Sequence, residues 1–253
     1  MRHRAGSPRR ELSVDFFNVY EDAKRAESYA TLEFPGTYYL AFRDLPAIVA
    51  RHAAGQRAID FGCGTGRSTR FLGKLGFEAT GIDISENMIK LARERDPEGD
   101  YRFVREDGVG ELHDAEFDLV LSAFTFDNIP TMEQKVKLFG ELARLLRDDG
   151  PIVNLVSSPE IYTHEWASFT TKDFPENKSA KSGDRVKIVM TDVEDRRPVE
   201  DVVWSDEDYR KVYSRAGLKL VETLKPLAKG DEPYAWVNET RIAPWVIYVL
   251  KRK

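Results

Sequence analysis

Ala58-Ile59-Asp60-Phe61-Gly62-Cys63-Gly64-Thr65-Gly66-Arg67-Ser68-Thr69-Arg70-Phe71-Leu72 is the stretch from which the rest of this chain is read. It begins as a short apolar strand, carries an acid, passes through a glycine-spaced turn and enters a helix. A turn of this kind aims backbone N–H groups at a ligand, and glycines at alternate positions let the backbone approach it closely. Two familiar phosphate-binding patterns fail here. A phosphate loop, G-x-x-x-x-G-K-[ST], needs a lysine, and none follows these glycines. The dinucleotide fingerprint G-x-G-x-x-G requires a third glycine where Arg67 stands, counting from Gly62, or where Thr69 stands, counting from Gly64. The pattern that fits is acidic-x-Gly-x-Gly-x-Gly, filled by Asp60, Gly62, Gly64 and Gly66.

This pattern closely resembles the first motif of the class I S-adenosylmethionine-dependent methyltransferases. The resemblance implies that Asp60 and the turn, with Cys63 inside it, hold the amino-acid end of S-adenosylmethionine. The chemistry is consistent, since an α-ammonium seeks a carboxylate and a carboxylate seeks N–H donors. The alternative is a glycine turn that only packs strand on helix. Cys63 is read as a small packing residue rather than a nucleophile.

Size and composition narrow the field. The chain has 253 residues, one cysteine and a formal net charge of −5. That length suits one large α/β domain, or one domain with an insertion. A lone cysteine allows no intramolecular disulfide, and a reducing cytoplasm is expected. Mild acidity argues against a dedicated nucleic-acid surface. No apolar run reaches the roughly 18 residues of a membrane span, and the basic start lacks the apolar core of a secretory signal. No metal site is expected.

Residues 1–13 read as a mobile basic tail, and 14–253 as a single domain. Within it, 14–55 is expected as a helical N-terminal cap. Phe16, Phe17, Tyr20, Ala23 and Ala26 recur at helix spacing, and a second helix is expected roughly from Tyr39 to Ala53, with Pro46 near a turn or kink. The tyrosines here pack the helices on the sheet or, as in many small-molecule methyltransferases, form a lid over the cofactor. Tyr29, Tyr38 and Arg43 are the expected lid contacts.

Residues 56–157 read as the cofactor-binding core. Phe77 to Asp83 reads as a second strand ending in an acid 23 residues beyond Asp60. A strand-end acid near this spacing takes ribose hydroxyls, because a carboxylate accepts from both hydroxyls of a diol. Capping the next helix is the other use of Asp83, but Ser85 is the better cap. Met88 packs its helix and, by resemblance, lies against the adenine near Ile84. After a third strand, Asp107 is placed by resemblance on the adenine amino group and the Gly108 N–H on a ring nitrogen, unless Asp-Gly is a simple turn. Phe117 to Ser122 reads as a strand buried on both faces, with Ser122 at its cofactor end. The following loop, with Phe124, Phe126 and Asp127, sits beside the switch in strand order, where the methyl group is presented. It lacks the [NDS]-P-P-[YFW] signature of amino-methylating DNA enzymes.

A helix from Met132 to Arg147 and a fifth strand, Ile152 to Ser157, complete an alternation that demands a parallel sheet. Residues 158–204 break the rhythm with Tyr162, Trp166 and Phe169. Two alternating stretches, Arg185 to Asp192 and Pro198 to Trp204, then read as a β-hairpin. This insertion is expected as a substrate lid, although its aromatics also suit a small hairpin core. Residues 205–253 add a helix and two strands. The predicted fold is therefore α/β: a doubly wound, mostly parallel, seven-stranded Rossmann-like methyltransferase sheet, with an N-terminal helical lid and a hairpin insertion after the fifth strand. The resemblance implies methyl transfer to a small, aromatic-containing molecule, bounded by Phe124, Phe126, Tyr162, Trp166 and Phe169. If the acceptor needs a base, His164, Glu165 and Asp127 are the candidates. For His164 the alternative is a surface position, and Asp127 suits loop anchoring better than proton transfer.

Overall fold

The decisive stretch forms a central strand, β1 (Arg57–Phe61), which pairs in parallel with β2 (Glu78–Asp83) on one side and β4 (Leu119–Ala123) on the other. The computed structural model describes residues 27, 33, 35–105 and 108–253. The helix expected from Val14, and the expected contacts Tyr29 and Asp107, lie outside the described residues.

With β3 (Asp100–Phe103), β5 (Ile152–Ser157), β9 (Leu218–Leu224) and β10 (Trp245–Arg252), these strands form a seven-stranded sheet of order β3-β2-β1-β4-β5-β10-β9. β10 runs antiparallel between β5 and β9. The order reverses at β1 and β4, which opens a crevice at their carboxyl ends. Register is set partly by Asp118, whose carboxylate accepts the N–H groups of Gln56 and Arg57 at 3.0 and 2.9 Å and so aligns the start of β1 with β4. β5 is buried along its whole length, as its apolar run requires.

Helices cover both faces. The expected second helix is two: α1 (Thr37–Arg43) and α2 (Leu45–His52), broken at Asp44. Pro46 falls in the first turn of α2, where the N–H it lacks has no helical partner to lose. α3 (Arg67–Lys74) leaves the glycine turn. Ser85 caps α4 (Glu86–Arg95) by accepting the Met88 N–H. α5 (Met132–Leu145) and α6 (Asp206–Arg215) carry Thr131 and Ser205 as caps. One apolar layer joins α1 and α2 to Ala58, Leu119, Leu121, Val153 and Leu155. The other joins α5 and α6 to Ile59, Val120, Ile152 and Val156.

The insertion contains a small sheet of β6 (Phe169–Thr170), β7 (Arg185–Met190) and β8 (Val199–Val202). In β7, Val186, Ile188 and Met190 are buried and alternate with more exposed residues. Their side chains, with Tyr162, Trp166 and Phe169, belong to the same apolar layer as α1. The aromatics therefore do not form a separate hairpin core.

Candidate functional site

The carboxyl ends of β1, β2 and β4 open on a cavity of about 370 Å³, lined in part by residues 62–65, Asp83, Ile84 and Met88. The glycine turn forms one wall. Gly62 and Cys63 both donate their N–H groups to the Ile82 carbonyl, at 2.9 and 3.0 Å, which ties the turn to β2. Gly62 has φ +73, and a Cβ on it would lie 2.1 Å from Thr125 Oγ1. Thr125 Oγ1 in turn donates to the Phe61 carbonyl at 2.8 Å, so the loops after β1 and β4 close on each other only over a glycine. Gly64 has φ +53 with open space where its Cβ would stand, and it faces the cavity. A side chain there would fill the cradle.

Asp83 sits at the rim. Its Oδ2 accepts the Gly64 N–H and its Oδ1 the Ser85 N–H, each at 2.8 Å. A carboxylate offers roughly four acceptor positions, so about half of its capacity remains for a ligand in the cavity. Burial raises its pKa, opposed by these backbone bonds. Burial likewise raises the Cys63 thiol well above its usual range, which leaves it inert at neutral pH.

Asp60 is placed differently from Asp83. It is fully buried and does not line the cavity. Its Oδ2 accepts from Ser68 Oγ at 2.6 Å and Thr69 Oγ1 at 2.7 Å, both in the first turn of α3. Its Oδ1 is buried with no hydrogen-bond partner. Burial pushes its carboxyl up to about 6, with the two hydroxyls pulling it down and Asp83 adding repulsion. An acid behind the turn with one idle oxygen, an open glycine cradle and a strand-end carboxylate with spare acceptor capacity fit an elongated zwitterionic nucleoside such as S-adenosylmethionine. Ile84, Met88, Val104 and Val109 give the apolar end of the cavity that a flat base requires. Gly108 begins a 3-10 turn beside them (Gly108–Glu111).

A second cavity of about 50 Å³ adjoins the first, and Phe124 and Asn128 line both. Phe124 has φ +66, a left-handed conformation that non-glycine residues hold only under constraint. Its ring lies 4.8 Å from that of Trp245 and 5.8 Å from that of Tyr38. Tyr38, expected over the cofactor, lines this smaller cavity instead, together with Asp127, Tyr162 and Phe169.

The other expected contacts are dispersed. Arg43 pairs with Asp44 and Glu232 and lines neither cavity. Ser122 is buried within β4, outside both. Phe126 stacks on Phe139 at 3.9 Å in the core, and Trp166 is buried with its Nε1 donating to the Ile161 carbonyl. His164 Nδ1 lies 3.0 Å from Thr163 Oγ1 and 3.1 Å from the Glu160 carbonyl, and Glu165 accepts the Thr171 N–H at 2.7 Å. Both are bound to their own loop and line neither cavity. Asp127 accepts the Ser157 N–H through both oxygens, at 3.3 and 3.0 Å, joining the β4 loop to the end of β5. Burial pushes its carboxyl up to about 6, held back by Ser157 and by the charge of Lys135.

Lys135, Arg67 and Asp201 were not singled out from the sequence. Lys135 is fully buried, donates to the Phe126 carbonyl and lies 4.9 Å from the Trp204 ring and 5.2 Å from the Tyr209 ring. Burial pulls its pKa down to about 7 against the field of Asp127. Its spacing from Phe139 and Leu142 is the signal that places it on the buried face of α5. Arg67, immediately after the turn, lies 5.0 Å from the Tyr38 ring and lines the larger cavity.

Residues 59–154 match the family model described as a methyltransferase domain. The chain is 33% identical over 95 residues to the ubiquinone biosynthesis O-methyltransferase of Methylococcus capsulatus, covering 36% of this chain and 40% of that protein. It is also 33% identical over 101 residues to the demethylmenaquinone methyltransferase of Tropheryma whipplei, covering 40% and 41%. The chain thus spans about two-fifths of the length of the curated relatives it matches. A crystal structure of an S-adenosylmethionine-dependent methyltransferase from Clostridium acetobutylicum superposes with TM-score 0.60 at 13% identity, covering 92% of this chain and 96% of that one. At that identity the likeness is one of fold.

Proposed function

We propose, from the premise that this chain belongs to the class I S-adenosylmethionine-dependent methyltransferases and takes S-adenosylmethionine as its cofactor, that it methylates a small, aromatic-containing molecule held between Phe124 and the 158–204 insertion. The observation that carries this reading is the smaller cavity, which shares Phe124 and Asn128 with the larger one and so adjoins the cofactor cleft. The bound cofactor supplies a methyl group already activated on a sulfonium. The protein's part is then alignment, with reacting atoms about 3–3.5 Å apart, and exclusion of water.

In this reading Asp83 receives the ribose hydroxyls, and the Gly62–Gly66 turn with the charge of Asp60 holds the amino-acid end. Ile84 and Met88 flank the base. Phe124 separates the two cavities and is fixed by its constrained backbone. Tyr162 and Phe169 close the acceptor side and keep water out. Asp127 is the candidate proton acceptor already at that side, whereas His164 and Glu165 would have to leave their loop contacts. The names of the two curated relatives, one for ubiquinone biosynthesis and one for demethylmenaquinone, support a small-molecule acceptor. So does the formal net charge of −5, which argues against a dedicated nucleic-acid surface. Among the described residues no helix is long and apolar enough to cross a membrane.

The test is incubation of the purified protein with methyl-labelled donor and a metabolite extract. The expected result is label in a small molecule. Label confined to protein or nucleic acid would refute the acceptor class. Tight donor binding with no label in any fraction would make the chain a cofactor-binding module.

A further inference from the structure

We propose that Lys135 is a positioning residue for the transfer: from behind the β4 loop it holds Asp127 as a carboxylate, which takes the proton of an aromatic hydroxyl on the acceptor. This rests on the transferase reading above and adds to it the acceptor class, a phenol, and the bond made, an aryl ether.

The two side chains divide the work by placement. Asp127 lines the smaller cavity, and Lys135 lines neither. The Ser157 N–H and hydroxyl bind the Asp127 carboxylate, which leaves about two of its roughly four acceptor positions for an incoming hydroxyl. Lys135 reaches from α5 to the carbonyl of Phe126, in the peptide that leads into Asp127. Its ammonium lies 4.9 Å from the Trp204 ring and 5.2 Å from the Tyr209 ring, fully buried. Filling space in this layer needs only an apolar side chain, and a buried ammonium costs more than one. What Lys135 adds is positive charge beside a carboxylate that burial drives toward its neutral form.

Four phenols also face Asp127 without bringing charge. Tyr162 from the turn after β5, Tyr209 and Tyr213 on α6 and Tyr248 on β10 all feel its field, and burial holds each above its usual range. Asp201 on β8 stands one hydrogen bond further off, accepting the Tyr162 hydroxyl at 3.1 Å. Arg67 on α3 lies over the Tyr38 ring. Lys135 is the cation whose charge acts on Asp127.

The chemistry selects the acceptor. A hydroxyl oxygen is weakly nucleophilic until its proton leaves. A phenol ionises at about 10, and an alcohol close to water, at about 16. Asp127, raised to about 6, lies far closer to the phenol. As the phenol oxygen bonds to the methyl carbon, the carbon–sulfur bond breaks and leaves its electron pair on sulfur. The hydroxyl proton passes to Asp127. The products are an aryl methyl ether, S-adenosylhomocysteine and a neutral carboxyl. The rings of Phe124, Phe169 and Trp245 in the cavity wall suit such an acceptor.

The test follows methyl label from S-adenosylmethionine into the small molecules of a metabolite extract, with the full chain, from about pH 5 to 9. The label is expected to resist mild alkali, unlike an ester, and to leave as methyl iodide in hydriodic acid, unlike a C-methyl group. Label that fails either check would overturn the phenol. The wild-type rate is expected to rise with pH to a plateau. Its midpoint should match that of the Asp127 carboxyl carbon by NMR, a resonance identified by its absence from Asp127→Asn. In Lys135→Met both midpoints should move up together by about one pH unit or more, with the rate regained above them. S-adenosylhomocysteine affinity should hold, since neither residue lines the larger cavity. Asp127→Asn should slow transfer about a hundredfold or more at every pH. Should Lys135→Met not fold, the coupling is read in reverse: the Lys135 ε-carbon midpoint should fall in Asp127→Asn. An unmoved midpoint in either variant, or a rate that does not follow the Asp127 carboxyl, would overturn the pairing alone. Failure of S-adenosylhomocysteine to bind, or no label in any small molecule, would overturn the reading on which it rests.

Discussion

Replacing Asp83 with asparagine separates the two duties that the structure gives this carboxylate. In the wild type each oxygen already accepts one backbone N–H, from Gly64 and from Ser85. An asparagine oxygen keeps one of these bonds, and its NH₂ group confronts the other donor. An unmatched buried N–H costs about 1–3 kcal/mol. Because Asp83 is half-buried and burial raises its pKa, removing the charge returns part of that cost. A net stability loss of about 1 kcal/mol is expected, or about 2–4 °C in Tm for a chain of this length. The ligand side should lose more. The two acceptor positions left for the ribose become one, and hydrogen bonds to a charged acceptor are worth about 1.5–3 kcal/mol each. S-adenosylhomocysteine should therefore bind about 10- to 150-fold more weakly, measured by calorimetry alongside melting curves. A ligand-side control tests the same point: 5′-methylthioadenosine should lose affinity on 2′-deoxygenation in the wild type but scarcely in Asp83→Asn, a coupling that a double cycle isolates. A change of less than about twofold in S-adenosylhomocysteine affinity, with the deoxy penalty intact, would refute the ribose assignment.

Further outcomes follow from neighbouring groups. Asp60 binds its proton more tightly when folded, up to about 6 against 3.8 for an ordinary aspartate. Its contribution is thus fully present below about pH 3.8, and it is lost as pH rises to about 6. The urea stability of wild type relative to Asp60→Asn should fall by on the order of 3 kcal/mol across that window and then level off; a pH-independent difference would contradict the buried placement. If the ligand's ammonium approaches Asp60, S-adenosylhomocysteine binding near pH 6 should release a fraction of a proton, read from titrations in buffers of different ionisation enthalpy. Gly64→Ala should cost about 1–2 kcal/mol of stability for its positive φ and weaken S-adenosylhomocysteine about tenfold or more. Gly73→Ala, on exposed α3 backbone with no atom within 4 Å of the new Cβ, should leave that affinity unchanged. Glu239 is fully buried and accepts from Thr37 Oγ1 and from the N–H groups of Ala167, Val237 and Asn238 at 2.7–3.0 Å. It clasps α1, the insertion and the C-terminal loop, so Glu239→Ala should cost about 3 kcal/mol or more and lower Tm by about 6–12 °C. A calorimetric loss below about 1 kcal/mol would deny the clasp.

The parts of this fold that could be read from the sequence are those set by local patterns. The strand, turn and helix around Gly62–Gly66 follow from glycine spacing. Ser85 and Ser205 announce helix starts, and the alternation in β7 gives a hairpin with one buried face. The direction of Asp60 was less accessible. Its carboxylate turns toward Ser68 and Thr69, eight and nine residues ahead, and that choice depends on how α3 packs under the turn. Phe124 and Phe126 look equivalent in sequence. A 3-10 turn between them advances about 120° per residue, so one ring faces the cavities and the other stacks in the core. Asp201 reads as an ordinary polar residue of a hairpin. Only the pairing of β7 with β8, opposite Val186, turns it toward Tyr162.

The most direct measurement is a crystal structure of the protein with S-adenosylhomocysteine. The account requires both ribose hydroxyls within hydrogen-bond distance of the Asp83 carboxylate, the amino-acid end across Gly62–Gly66 and the sulfur facing Phe124. Density for the ligand elsewhere, or with its ribose turned away from Asp83, would contradict it.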